Sequence, residues 1–301
     1  AYLCRVITLD PRWQSVDTVP MTDAASPAPV VFQQQALPDV EAWTRYFRTA
    51  VIPVRTSTAA GIERLRERED DVDANAISDV VAADPLMIVK VLAHVASLRR
   101  PGQGTATESV TTSLVLLGIG PFFRAFGPQP TIKQWLHEQP AALEGLRVLM
   151  VRAQRAARFA LAFAIHRQDT DADAIRLAAY LHDFAEMLMW CHAPTLMQQV
   201  AQAQQADASL RSSAAQRQFL NMEIDDLRQN LMKLWHLPEL LVRICDDYHA
   251  DHPSVRSVVL AVRLARHTAK DWENPAIPDD IDAIAELLNV VPRAAMGYLR
   301  K

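Results

Sequence analysis

From residue 37 onward, apolar positions recur three and four residues apart and strict alternation is rare, which predicts a succession of amphipathic helices. The first helical stretch spans 38–50. An extended connection over 51–58 follows and carries Ile52-Pro53-Val54, then a charged helix over 61–69. Asp73 reads as the N-cap of a helix over 74–82. Asp84-Pro85 repeats that start signal, with the carboxylate as cap and proline in the first turn, for a helix running towards Leu98. A loop over 99–104 leads to Thr107 or Ser109, either of which can open a helix over 110–117 that stops at Gly118; a short helix over 121–126 comes next.

The second half opens with one long helix over 141–166, rich in Ala, Leu and Arg. A polar break over 168–173 follows. Asp171 or Asp173 then caps an apolar helix over 175–190 that carries His182 and Asp183 in its middle. A polar, Gln-rich stretch over 194–211 reads as helix and loop, and 212–235 as a single long helix. Prolines 238, 253, 278 and 292 mark four further starts, with helices ending near 248, 272, 288 and 299.

Residues 1–36 have a different texture. Positions 2–9 and 13–19 suit two short strands joined by Asp10-Pro11, and 20–36 has a linker's composition, with a Gln33-Gln34-Gln35 run. Residues 5–10 are faintly similar to the opening strand of EAL-type cyclic-dinucleotide domains, but no such domain follows, so a short hairpin is expected. The expected organisation is an N-terminal extension and linker over 1–36 and a helical domain over 37–301, with lobes meeting near 136–137 and no fixed-period repeat.

Composition agrees with this pattern. Half of the residues are hydrophobic, 22% are charged and only 8 are glycine, as in a globular helical protein. A net charge of -4 argues against nucleic-acid binding driven by overall charge. Cys4, Cys191 and Cys245 form no CxxC pair, which fits a reducing cytosol better than a disulfide or zinc framework. No secretory signal is visible, and the longest apolar stretch, 114–123, is too short to span a bilayer. Most of Trp13, Trp43, Trp135, Trp190, Trp235 and Trp272 are expected as core anchors, with one or two at an interface.

The chemistry-bearing candidate is His182-Asp183. Adjacent His and Asp side chains can share a divalent metal, whose bound water then becomes a nucleophile, provided the remaining ligands exist. Otherwise the pair is structural, with Asp183 held by an arginine such as Arg152. A second polar group, Asp246, Asp247, His249, Asp251 and His252, reads as a solvated helix end or as a source of replacement ligands. Arg152, Arg155 and Arg158 repeat every three residues and could meet phosphate or pair with acidic helices. Buried Cys191 and Cys245 are expected to be packing residues.

Five segments, in order, resemble the HD-related output domain (HDOD) of bacterial signalling proteins. They are Ile52-Pro53-Val54; the run from Ala76 to Leu86 with its Asp84-Pro85; Ser113-Leu114-Val115-Leu116-Leu117-Gly118; Ala179-Tyr180-Leu181-His182-Asp183-Phe184; and Leu234-Trp235-His236-Leu237-Pro238-Glu239. Tyr248-His249 falls where that family often carries paired histidines, and the resemblance covers roughly 45–270. It implies an all-α, two-lobed HD-like bundle related to metal-dependent phosphohydrolases. It also places a first metal-ligating His at Arg152 or Val151 and a final Asp at Val262, where this chain has no ligand.

The expected protein is therefore an all-α cytoplasmic signalling module without catalysis, cofactor or bound metal. It would bind a signalling partner or small ligand through a cleft of Arg152, His182, Asp183 and His249. Neither membrane nor nucleic acid is an expected partner. The alternative is a metal-dependent phosphohydrolase or phosphodiesterase that recruits His249, His252 or Asp247 in place of the missing ligands.

Overall fold

The structure, a computed structural model, describes residues 30–98, 109–207, 209–247 and 251–300. The expected hairpin at 2–19, the loop at 99–104 and His249 lie outside the described residues.

Among the described residues the protein is all-α. Its helices are α1 (Val40–Phe47), α2 (Thr56–Arg66), α3 (Ala74–Ala82), α4 (Pro85–Ser97), α5 (Val110–Leu117), α6 (Ile119–Ala125), α7 (Ile132–Trp135) and α8 (Pro140–Arg167). They continue as α9 (Ala172–Leu181), α10 (Phe184–His192), α11 (Pro194–Ala206), α12 (Ser212–Leu220), α13 (Ile224–Leu234) and α14 (Glu239–Ile244). α15 (Pro253–His267), α16 (Ile277–Leu288) and α17 (Pro292–Leu299) complete the series. A parallel bridge between Val54 and Thr131 is the one β-type pairing recorded among these residues. No described helix is long and apolar enough to cross a membrane.

The chain divides into two compact units that interleave in sequence. Among the described residues, the first joins everything up to Leu149 to Asp183–Pro238, and the second joins Met150–His182 to everything from Glu239 on. A single cut near 136–137 therefore does not follow the compact units: α8 and the His-Asp junction are both shared out between them.

In the first unit, side-chain caps start the helices where the sequence signals them. Asp39 accepts from the Ala42 N–H (2.8 Å), Asp73 from Ala76 (2.8 Å) and Ser109 from Thr112 (3.1 Å). α7, a turn without a strong apolar repeat, is held by a capping box between Thr131 and Gln134. Gly118, at φ 83°, sits between α5 and α6 in a conformation that disfavours side chains. Two glycines permit close helix approach: a Cβ at Gly61 would lie 2.8 Å from Val80, and one at Gly145 would lie 2.8 Å from the Trp190 ring. Apart from Glu186 and His192, α10 is apolar, and Phe184, Met187, Leu188 and Met189 are fully buried. Each such side chain contributes about 2 kcal/mol on leaving water.

In the second unit α9 packs against α14 and α15, α15 against α16, and α16 against α17. Ile175, Ala178, Val258, Ala261 and Ile284 form its apolar interior.

Two predicted long helices are broken. The 212–235 stretch splits at Asn221, which adopts φ 58°; asparagine tolerates that left-handed region. The break is held from α1 and its approach, because the Asn221 amide donates to the Leu37 carbonyl (3.1 Å) and the Trp43 indole N–H to Leu220 (2.9 Å). The 175–190 stretch splits at His182-Asp183, so the pair forms the joint between α9 and α10 rather than the middle of one helix.

Candidate functional site

His182 closes α9, and Asp247 is brought to it by α14. The buried Cys245 thiol donates weakly to the carbonyl of Ala178 (3.7 Å), one helical turn before His182. Two residues on, the Asp247 carboxylate accepts from His182 Nε2–H at 3.1 Å. His182 is buried, whereas the Asp247 side chain is partly exposed. An imidazole and a carboxylate thus meet in the second unit, and Asp247 is one of the residues expected as a replacement ligand.

The donors expected to complete a metal site do not assemble among the described residues. Val262 on α15 is 4% exposed, and its isopropyl group offers no lone pair. Arg152 on α8 is half-buried and already engaged with neighbours, and a guanidinium repels a divalent cation. His252 is exposed and committed to capping α15, accepting from the Ser254 N–H at Nδ1 (3.3 Å). No group of three His, Cys, Asp or Glu residues with metal-holding geometry occurs among the described residues. A structural zinc needs four such donors and a catalytic one three. The described residues do not fit the four-ligand site that the HD resemblance implies.

The arginine stripe is not a phosphate-reading face at its centre. Arg155 spends its guanidinium on Thr268, with Nη1 donating to the carbonyl (2.6 Å) and Nη2 to the hydroxyl (2.8 Å). Asp183 begins the first unit's second segment and is buried and engaged. Asp280, fully buried on α16, is paired with Arg263 (2.5 Å) and with His267 Nδ1 (2.5 Å) on α15. Nothing in the sequence marked that triad, because its partners are joined only by the packing of α15 on α16.

The segments that carry the family resemblance in the first unit converge on a backbone junction. Fully buried Asp84 caps α4 through the N–H groups of Leu86 (3.0 Å) and Met87 (3.3 Å), and accepts a third bond from the Arg55 N–H (2.7 Å). The connection holding Ile52-Pro53-Val54 is fastened at successive carbonyls. His192 Nε2–H donates to Val51 (2.8 Å), Lys90 Nζ to Ile52 (3.0 Å) and the Ile132 N–H to Val54 (2.8 Å). Because Nε2 carries the proton, His192 Nδ1 accepts from the Tyr46 hydroxyl (2.9 Å). Aromatic rings of Tyr46, Phe47 and Trp135 enclose the imidazole, and burial lowers its pKa to about 4. Burial likewise pushes the Cys191 thiol up, which leaves it unreactive. His192 and Lys90 were not singled out in the sequence; their polar identity inside apolar helices was the available signal.

No curated protein matches the chain. The MmoQ response regulator of Methylococcus capsulatus strain Bath is similar in fold, with a TM-score of 0.61 at 18% identity over 84% of this chain and 99% of that one. A virulence factor of Campylobacter jejuni subsp. jejuni is similar with a TM-score of 0.56 at 15% identity, over 86% and 97% of the two chains. The family model for the HDOD domain matches residues 52–251, two thirds of the sequence and all of the motif segments, and this chain belongs to the HDOD family.

Proposed function

We propose that this protein is a non-catalytic regulatory module of bacterial signalling that works by binding a partner protein near His182 and Asp247. The observation that carries the proposal is the lack of donor groups: a buried, apolar Val262, and an engaged Arg152 beside Val151, occupy the positions at which the family resemblance expects a carboxylate and an imidazole. His182 meanwhile spends its Nε2–H on Asp247. A response regulator among the proteins of similar fold supports a place in signal transduction. Incubated with Mn²⁺ and cyclic dinucleotides or nucleotides, the purified protein should turn over substrate no faster than its His182→Ala variant. Hydrolysis that requires Mn²⁺ and disappears in that variant would overturn the proposal.

A second reading is supported by the same pair. His182 and Asp247 lie close enough to serve as two ligands of a rearranged phosphohydrolase site. It requires stoichiometric metal in the purified protein, and elemental analysis that finds none after Mn²⁺ loading and desalting eliminates it.

A further inference from the structure

The first unit contains a cavity of about 310 Å³ whose lining includes Phe47, Phe126 and Trp235 together with Arg48, Ile52 and Lys90. Three aromatic side chains and one half-buried ammonium thus line the same space. Lys90 Nζ donates to two neutral acceptors, the Ile52 carbonyl (3.0 Å) and Gln129 Oε1. Gln129 is oriented for this by its own amide, which donates to the Gly127 carbonyl (3.0 Å). An ammonium has three protons, so one donor remains, and no carboxylate of a described residue sits at ion-pair distance from it. Buried Asp84 acts on it only through space. A half-buried charge left without a counter-ion is costly, and an anion entering the cavity would relieve that cost. Arg48, exposed at the edge, adds a second positive charge that would attract an anion.

We propose that this cavity binds a small organic anion, a carboxylate carried on an aromatic or apolar body, with Lys90 as its counter-cation. The aromatic walls would take the apolar body and the remaining Lys90 proton one carboxylate oxygen. A single ammonium among apolar walls suits a monoanion better than a heavily hydrated phosphate. The volume lies at the small end of the range for ligand pockets. The site goes beyond the partner binding proposed above and does not rest on it, since it involves neither His182 nor Asp247. Burial lowers Lys90 to about 8, so the proposed interaction has its own pH signature.

The test uses the full chain with phenylacetate as probe and phenylacetamide as its neutral counterpart, read by ligand-observed NMR and tryptophan fluorescence. Phenylacetate should bind saturably. Lys90→Met, which keeps the length of the stem, should weaken it at least about tenfold, as expected for losing a charged hydrogen bond, and leave phenylacetamide unaffected. Binding should fall as pH rises from 7 to 9, because Lys90 loses its proton near 8. In the unmodified protein, phenylacetate should slow reductive methylation of Lys90, a readout that needs no variant to fold. Equal binding of acid and amide, or unchanged methylation of Lys90 at saturating phenylacetate, overturns the proposal. Inorganic phosphate binding through Lys90 with none of phenylacetate overturns the apolar body.

Discussion

Three polar side chains of the first unit and two of the second are used differently. In the first, Asp84, His192 and Lys90 all bind backbone atoms: three N–H groups for Asp84, the Val51 carbonyl for His192 and the Ile52 carbonyl for Lys90. In the second, His182 meets the side chain of Asp247, and Asp280 meets those of Arg263 and His267. A side chain that holds backbone helps to decide where the chain runs, and losing a sole fastening releases the segment; the connection at Ile52 keeps its fastenings at Val51 and Val54 without Lys90. A side chain paired with another side chain can change partners while the helices stay in place.

The comparison is exposed most severely by Asp84→Ala. It removes the α4 cap and leaves the Arg55 N–H without its carboxylate, and should cost about 3 kcal/mol in urea unfolding. Acid should act almost as strongly through His192. Its folded pKa, about 4, lies below the ordinary value of 6.5, so the neutral form is preferred in the folded protein. The associated stability is present above pH 6.5 and drains as pH falls towards 4, amounting to about 3 kcal/mol. A pH series of thermal melts should show this slope in the wild type and a flatter one in His192→Gln. Gly145→Ala tests packing rather than polarity. Its Cβ would meet the Trp190 ring at 2.8 Å, and differential scanning calorimetry should record a loss of about 2 kcal/mol. His182→Gln should cost least, about 1 kcal/mol or less in the same urea assay, because Asp247 can turn to water. If His182→Gln proved as damaging as Asp84→Ala, the distinction between backbone-holding and side-chain-holding groups would fail.

Helix positions were readable wherever a local device sets them. Asp73 and Asp84 cap α3 and α4 as expected, Ser109 was one of two candidates for α5, and Gly118 ends that helix. Pro292 opens α17 over the predicted residues. The misses occur where a local pattern gives way to a distant partner. The run over 212–235 has unbroken helical texture, but Leu220 and Asn221 are drawn to Trp43 and Leu37. Neither glycine nor proline marks His182-Asp183, and no local rule breaks a helix there. α7 was missed because four residues are too few for a period; its capping box, Thr131 with Gln134, was the readable sign. In the candidate site, His182 was recognised and Asp247 was named among replacement ligands, yet their meeting could not be read. It depends on the end of α14 lying against α9, with Cys245 on Ala178 as the contact.

By itself the sequence determined the helical class, most helix starts and the family, because caps, prolines and apolar spacing act over a few residues and leave local marks. It also showed that Val262, where the resemblance expects a carboxylate, offers no metal-ligating group in any fold. Only the tertiary structure decided which polar groups hold backbone and which hold one another. It also put Lys90 beside three aromatic rings with no carboxylate at hand. Most of those outcomes depend on contacts beyond a helical turn, from 13 positions apart for His267–Asp280 to 141 for Val51–His192, and periodicity carries no information at that range.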